Sequence, residues 1–284
     1  MPELPEVELA RSTIERAALG RVIADVDDTD EWVCRPHAPG EIRDALVGRR
    51  LTAAHRRGKT MWCDTDGGAE AGADDRADGP QLGLHLGMSG RIIVRTADGG
   101  TVHGGDPVRG VDGTDESVAK PEWYRFTLVF EDGGTLRLFD KRRLGRVRLD
   151  PVLDDLGPDA ADVRVAEFRS RVGRGTAPLK ARLLDQSVLA GVGNLLADET
   201  LWQARQDPHR PAGDLAETEL TDLHKALRAA TRAAVRKGGV HTGDVIGSRR
   251  KGASCPRCGA PMATGQVGGR TTWWCTSEQV SPRT

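Results

Sequence analysis

Residues Met1-Pro2-Glu3-Leu4-Pro5-Glu6-Val7-Glu8 hold the chemistry that is least ordinary in this chain. Loss of Met1 would leave Pro2 with a secondary α-amine beside the carboxylates of Glu3 and Glu6. An α-amine titrates near pH ~7.7–8 and is partly neutral at neutral pH, whereas a lysine amine, at pKa ~10.4, is not. A neutral amine adds to carbonyl-like carbon and forms a Schiff base, so this end is a candidate nucleophile. The plainer reading is a chain end stiffened by Pro2 and Pro5 that leads into a helix. A second constellation lies at the far end: Cys255-Pro256-Arg257-Cys258, followed later by Cys275. That spacing reads as a zinc hairpin. A fourth cysteine would fall at 278, where the sequence has Glu278. A carboxylate is a harder ligand than zinc usually receives beside three thiolates. Three options stay open: zinc held with Glu278, zinc with water as fourth ligand, or a hairpin that folds without metal.

These groups must be positioned by the rest of a 284-residue chain, long enough for two domains. Apolar residues at helical spacing predict a helix over Pro5–Leu19. Short strands are predicted at Val22–Val26, Thr60–Cys63, Arg91–Arg95, Arg125–Phe130, Thr135–Phe139 and Arg146–Leu149, separated by Gly/Asp turns. The first half is therefore expected to be a β-sandwich or barrel with one N-terminal helix. Two Gly/Asp/Ala-rich stretches, Asp64–Pro80 and Ala97–Ala119, read as surface loops. Beyond Asp150-Pro151 the pattern becomes helical, at Val163–Val172, Pro178–Gln186, Asn194–Arg205 and Glu217–Lys237. The turn Ala190-Gly191-Val192-Gly193-Asn194 would expose backbone N–H groups, with Asn194 placed to cap the next helix; such a helix start is a ready phosphate site, and a plain packing turn between helices suits the same residues equally well.

Net charge is −1, yet it is unevenly spread. Between His224 and Cys275 ten lysines and arginines stand against the single acid Asp244, and a second basic cluster follows Asp140. Locally basic faces on a near-neutral chain are the footprint of a nucleic-acid binder. No apolar run is long enough to span a bilayer and no signal peptide is evident, so a cytoplasmic protein is expected. An odd cysteine count with a C-terminal cluster suits a reducing compartment.

Six segments in order resemble one family: the PELPEVE start, Arg57-Gly58-Lys59, His85-Leu86-Gly87-Met88-Ser89-Gly90, Asp140-Lys141-Arg142-Arg143-Leu144-Gly145, Gly191-Val192-Gly193-Asn194, and the cysteine hairpin carrying Arg270. Together they resemble the formamidopyrimidine-DNA glycosylase / endonuclease VIII family of base-excision repair enzymes. The resemblance implies an α+β multidomain chain: a catalytic β-sandwich with a flanking helix (1–150), a helix-two-turn-helix DNA-binding domain (151–240) and a zinc-finger-like β-hairpin (241–284). It implies that Pro2 attacks C1′ of a flipped nucleotide, that Glu3 serves as general acid/base, and that Glu6 sets protonation nearby. Lys59 would assist elimination, Arg270 would clamp the flanking phosphates, and Asn194 would hold phosphate. Met88, Arg142 and Leu144 would fill the gap left by the extruded base; Leu144 stands where the family usually has Phe. Trp123 falls near a position where many members carry a DNA-contacting His. The implied partner is double-stranded DNA with oxidised bases or abasic sites, met by a monomer with no membrane role, and the implied metal is Zn2+ at Cys255, Cys258, Cys275 and Glu278. The implied reaction is base excision followed by β,δ-elimination.

Members specialised for 8-oxoguanine carry a long segment before the hairpin, and here Gly238–Ser254 is short. Formamidopyrimidines, oxidised pyrimidines or abasic sites are therefore the expected substrates, with poor 8-oxoguanine excision. Two alternatives are a non-catalytic DNA binder of this fold and a specialised enzyme for bulky or crosslinked adducts.

Overall fold

The structure, a computed structural model, describes residues 1–67, 79–106 and 120–281. It divides into two compact units: residues 1–2 with 6–153, and residues 3–5 with 154–284. Of the two stretches expected as surface loops, 68–78 and 107–119 lie outside the described residues.

Helix α1 (Leu4–Ala17) belongs to the first unit from Glu6 onward. Val7, Ala10 and Ile14 recur at helical spacing and are fully buried. The strands follow as β1 (Ile23–Asp27), β2 (Leu51–Arg57), β3 (Thr60–Thr65), β4 (Leu82–His85), β5 (Arg91–Arg95), β6 (Thr101–Gly105), β7 (Tyr124–Phe130), β8 (Thr135–Phe139) and β9 (Arg146–Leu149). They form a five-stranded sheet ordered β1-β7-β8-β5-β6 and a four-stranded sheet ordered β2-β3-β4-β9. Every neighbouring pair is antiparallel. Alternation puts Phe126, Leu128 and Phe130 of one sheet and Met61 and Cys63 of the other into a shared core with α1. Each large side chain so buried contributes about 1.5–3 kcal/mol. Burial pushes the thiols of Cys34 and Cys63 up to about 12, which leaves both as inert core residues.

The structure adds to the expected sandwich. Two short helices, α2 (Glu31–Cys34) and α3 (Glu41–Leu46), join the N-terminal helix. Asp30 caps α2, its carboxylate accepting from the N–H groups of Trp32 and Val33. The stretch Ala97–Ala119 is not wholly loop either, since Thr101–Gly105 pairs with β5 along its whole length. A central apolar strand offers a ladder that even a Gly-rich partner can complete.

The second unit holds α4 (Val165–Val172), α5 (Leu179–Leu184), α6 (Asn194–Gln203) and α7 (Glu217–Lys237), then the hairpin β10 (Met262–Val267) and β11 (Arg270–Cys275). Along α7 the residues Leu220, Leu223, Leu227, Ala230 and Ala234 are buried, the spacing of one helical face. Gly238, in the left-handed region at φ 91°, ends it. Leu4, at the start of the chain, is buried in this unit's core. No described helix is long and apolar enough to cross a membrane.

Candidate active site

Pro2, Glu3 and Glu6 are all buried, the two glutamates each 1% exposed, whereas Met1 before them is 44% exposed. Glu3 belongs to the second unit and is anchored there. Its carboxylate accepts from the N–H groups of Gly193 (3.0 Å), Leu195 (2.8 Å) and Leu196 (3.0 Å) at the start of α6. The N–H of Leu4 then donates to the carbonyl of Gly191 at 3.1 Å. This corrects the expectation that Asn194 caps the helix and that the turn stands open for phosphate. The carboxylate of Glu3 takes the orphan donors, and the helix dipole favours an anion there. A β-carbon at Gly193 would lie 2.3 Å from the Glu3 carboxyl carbon, so only glycine admits this approach.

Asn194 instead donates its side-chain amide to the carbonyl of Thr271 at 3.1 Å. The same carbonyl receives Lys180 Nζ at 3.3 Å and an Arg249 guanidinium N–H at 3.4 Å. Lys180 is fully buried and meets Asp198 at 2.6 Å; Asp198 also binds Arg249 at 2.8 Å. Burial presses the Lys180 amine below its usual range, and Asp198 opposes that shift. This network fixes the strand that begins at Arg270, whose side chain is exposed beside the Gly268-Gly269 turn. Nothing in the sequence around Lys180, Asp198 and Arg249 signals this network, because nothing local marks a buried ion pair.

In the first unit, Lys59 sits on the turn joining β2 and β3, and its neighbour Thr60 pairs with His85. His85 Nδ1 accepts from the Gly87 N–H at 3.1 Å, so its proton resides on Nε2. Burial lowers the His85 pKa first, and the charges of Lys59, Arg146 and Arg148 lower it further. His85 is therefore a neutral donor among cations.

Met88 and Leu144 are among the large apolar side chains left exposed, at 39% and 38%. The turns that carry them touch through their backbones: a β-carbon at Gly87, itself at φ +60°, would lie 2.4 Å from the Leu144 carbonyl carbon. Asp140, fully buried, shapes the second turn by accepting from the N–H groups of Arg142 (3.0 Å), Leu144 (2.7 Å) and Gly145 (2.6 Å). Arg142 projects from this turn exposed, while Arg143 folds back on Asp30 at 2.7 Å. Trp123 stands at the root of the same turn, edge-on to Phe139 with Lys141 Nζ 4.2 Å from its ring centre. Asp140→Ala leaves three amides without their acceptor. It is expected to cost about 3 kcal/mol or more, at ~1–3 kcal/mol per unsatisfied group. Urea denaturation measures the loss, and Asp140→Asn, which keeps one oxygen, should recover part of it.

Cys255, Cys258, Cys275 and Glu278 bring their ligand atoms within 4.8 Å of one another. A tetrahedral ion with metal–sulfur bonds of about 2.3 Å needs ligand separations of about 3.8 Å, so the donor set is able to bind a metal. Burial pushes both deep thiols up; at Cys255 the Trp202 indole N–H and the N–H groups of Cys258 and Arg257 outweigh it and bring the thiol to about 7, while Cys275 stays at about 11. Glu278 also pairs with Arg257 at 3.0 Å, and that arginine stacks on Trp202. The carboxylate is thus shared between the cluster and a cation.

Residues 1–147 match the formamidopyrimidine-DNA glycosylase N-terminal domain and residues 156–244 the formamidopyrimidine-DNA glycosylase H2TH domain. A formamidopyrimidine-DNA glycosylase of Nocardioides sp. is 33% identical over 100% of this chain and 96% of its own length. One from Thermus thermophilus is 34% identical over 97% of each. Among solved structures, Lactococcus lactis Fpg in complex with DNA containing FAPY-dG superposes with a TM-score of 0.76 at 26% identity, covering 98% of this chain and 100% of that one. MutM in complex with DNA containing carbocyclic 8-oxo-G gives 0.76 and 26%, covering 99% and 100%. The chain belongs to the formamidopyrimidine-DNA glycosylase family, and it is a DNA glycosylase and AP lyase that acts on DNA.

Proposed function

We infer that the enzyme excises formamidopyrimidines and oxidised pyrimidines and cleaves abasic sites, using Pro2 as a Schiff-base nucleophile. The observation that carries this reading is the Glu3 carboxylate held by three backbone N–H groups, which fixes the residue bonded to Pro2. Once Met1 is gone, the Pro2 nitrogen adds to C1′ while the C1′–N bond to the base breaks, and the base leaves with a proton. Glu3 moves protons at the opening sugar, and Glu6 sets the charge beside the amine. The resulting iminium acidifies C2′, so loss of that proton expels the 3′ phosphate; a second loss at C4′ expels the 5′ phosphate. Lys59 assists these eliminations, and Asn194 and Arg270 hold backbone phosphate. Met88, Arg142 and Leu144 fill the vacated stack, with Trp123 at the edge of that contact. The three-part division 1–150, 151–240 and 241–284 follows these roles.

Poor 8-oxoguanine excision is part of the reading. After α7 the residues 238–254, the place of the long segment in 8-oxoguanine specialists, hold short helical turns at Val240–Thr242 and Ile246–Ser248, too short a stretch to cover a flipped purine. MutM has been solved with DNA containing carbocyclic 8-oxo-G and Lactococcus lactis Fpg with DNA containing FAPY-dG, so both lesions belong in the test. A lesion panel cut in parallel with borohydride trapping tests all of this. Adducts on abasic and formamidopyrimidine duplexes with weak 8-oxoguanine cleavage are expected. DNA binding without any adduct sinks the Schiff-base reading, and robust 8-oxoguanine removal sinks the substrate reading.

Zn2+ is the metal the thiol-rich cluster suits best, with Cys255, Cys258, Cys275 and Glu278 as ligands. Its chemistry here is structural, tying the hairpin that presents Arg270. Glu278→Cys should tighten zinc by roughly tenfold or more, since a thiolate replaces a carboxylate that is shared with Arg257. Zinc release to a chromogenic chelator reads the difference, and equal release rates would exclude Glu278 as a ligand.

A further inference from the structure

Beside the turn that carries Leu144 lies a basic patch to which none of the roles above is assigned. Trp32, on α2, is 51% exposed. The Arg35 guanidinium carbon sits 3.7 Å from the Trp32 ring centre and that of Arg146 at 5.6 Å. Arg35 is steadied by donating to the Trp32 carbonyl at 2.9 Å. Arg146 and Arg148 line a cavity of about 370 Å3, together with Thr60, His85, Leu144 and Val152.

The nearby acids are engaged elsewhere. Asp30 pairs with Arg143 and Arg125 and caps α2, and Asp140 is turned inward onto backbone amides. His37 accepts the Leu149 N–H through Nε2, and its Nδ1 meets Glu41. Among the described residues no ion pair is formed by Arg35, Arg146 or Arg148. The repulsion is felt within the patch: after burial, Arg35 and Arg148 are what press the Arg146 guanidinium below its usual range. Asp140 and Asp30 offset part of that repulsion from a distance. Three arginines without an ion pair among the described residues, around an exposed indole and an open cavity, call for an anion that is extended and multiply charged.

We propose that Trp32, Arg35, Arg146 and Arg148 form an additional DNA grip, in which the arginines bind successive phosphates of the backbone flanking the Leu144 plug and Trp32 holds Arg35 in place. The proposal rests on the reading of residues 141–145 as a DNA contact, because Arg146 continues that turn directly. An indole face orders a planar guanidinium without neutralising it, which leaves its fork free for phosphate.

The test is equilibrium binding of the full chain to a duplex with a reduced abasic site over a salt series. Each phosphate neutralised contributes a slope of about 0.9 in log affinity against log salt. The double variant R35A/R148A should flatten the slope by nearly two and weaken binding roughly tenfold or more at physiological salt, whereas R35K/R148K should keep most of the slope. Trp32→Ala should weaken binding less and flatten the slope by less than one. A wild-type slope in the alanine double overturns the proposal. Should that double unfold, R35Q and R148Q taken singly decide on the same readout. Borohydride trapping by the wild type separates the two layers: no trapping defeats the catalytic reading, while trapping with an unchanged slope defeats only this grip.

Discussion

Borohydride is expected to capture a covalent adduct between the processed chain and an abasic duplex, and none with a chain that still bears Met1. In the unprocessed chain the Pro2 nitrogen is an amide, with its lone pair delocalised and no proton to exchange. In the processed chain it is a secondary amine whose pKa lies near neutrality. Glu3 is committed to the three N–H groups of α6, which leaves the chain little freedom to present another atom. The single-turnover rate should fall by on the order of 10⁴–10⁶, the scale on which removing a nucleophile acts in other enzymes. Mass spectrometry of the two preparations confirms the state of the end, and quantified adduct gives the result. Equal trapping from both would remove Pro2 from the mechanism.

Lys180→Ala should be the most destabilising single change in the second unit. Lys180 and Asp198 are 0% and 1% exposed and lie 2.6 Å apart, so the substitution strands a buried carboxylate. Breaking such a pair from one side costs about 3–5 kcal/mol. Arg249 stays with Asp198 and limits the loss. The lysine also ties Thr272 Oγ1 at 2.8 Å and the Thr271 carbonyl at 3.3 Å, so β11 loses two anchors next to Arg270. Denaturant unfolding should show the cost, and affinity for an abasic duplex should fall with it. The double replacement Lys180→Met with Asp198→Leu separates charge from packing. Apolar groups of similar volume commonly replace a buried pair at little cost, so the double should be more stable than Lys180→Ala while its DNA affinity stays low. If the single variant unfolds like wild type, the pair is not the anchor described here.

The parts of this molecule that could be read in advance are those in which neighbouring residues carry the signal. β5, β8, β9 and α7 fall where the local apolar pattern put them, because that pattern sits within one contiguous segment: near-continuous burial in β5 and β8, one buried helical face in α7. β2 carries little signal because Leu51–Arg57 has one fully buried side chain and otherwise consists of threonine, alanine, histidine and arginine. Its strand character comes from pairing with β3. β6 was hidden by its glycines for the same reason. At the site, the chemistry-bearing residues were visible by type and family resemblance, but their supports were not. Glu3 and Leu196, Lys180 and Thr272, and Gly87 and Leu144 meet only after the chain has folded, and no local periodicity encodes such meetings. The capping of α6 illustrates this best. A glycine-rich turn before Asn194 suggested an open anion site, yet the anion is supplied by the third residue of the same chain.

That capping also sets an order in time. On a ribosome the third residue emerges early, while its three amide partners follow only after Leu196 has been made. Throughout that interval the N-terminus has no docking place and swings free, within reach of the peptidase that takes off methionine. Once α6 forms and Glu3 seats, Pro2 is buried and the opportunity narrows. Maturation of the nucleophile is therefore expected to belong to the growing chain more than to the finished protein, and the late synthesis of its cap keeps the window open.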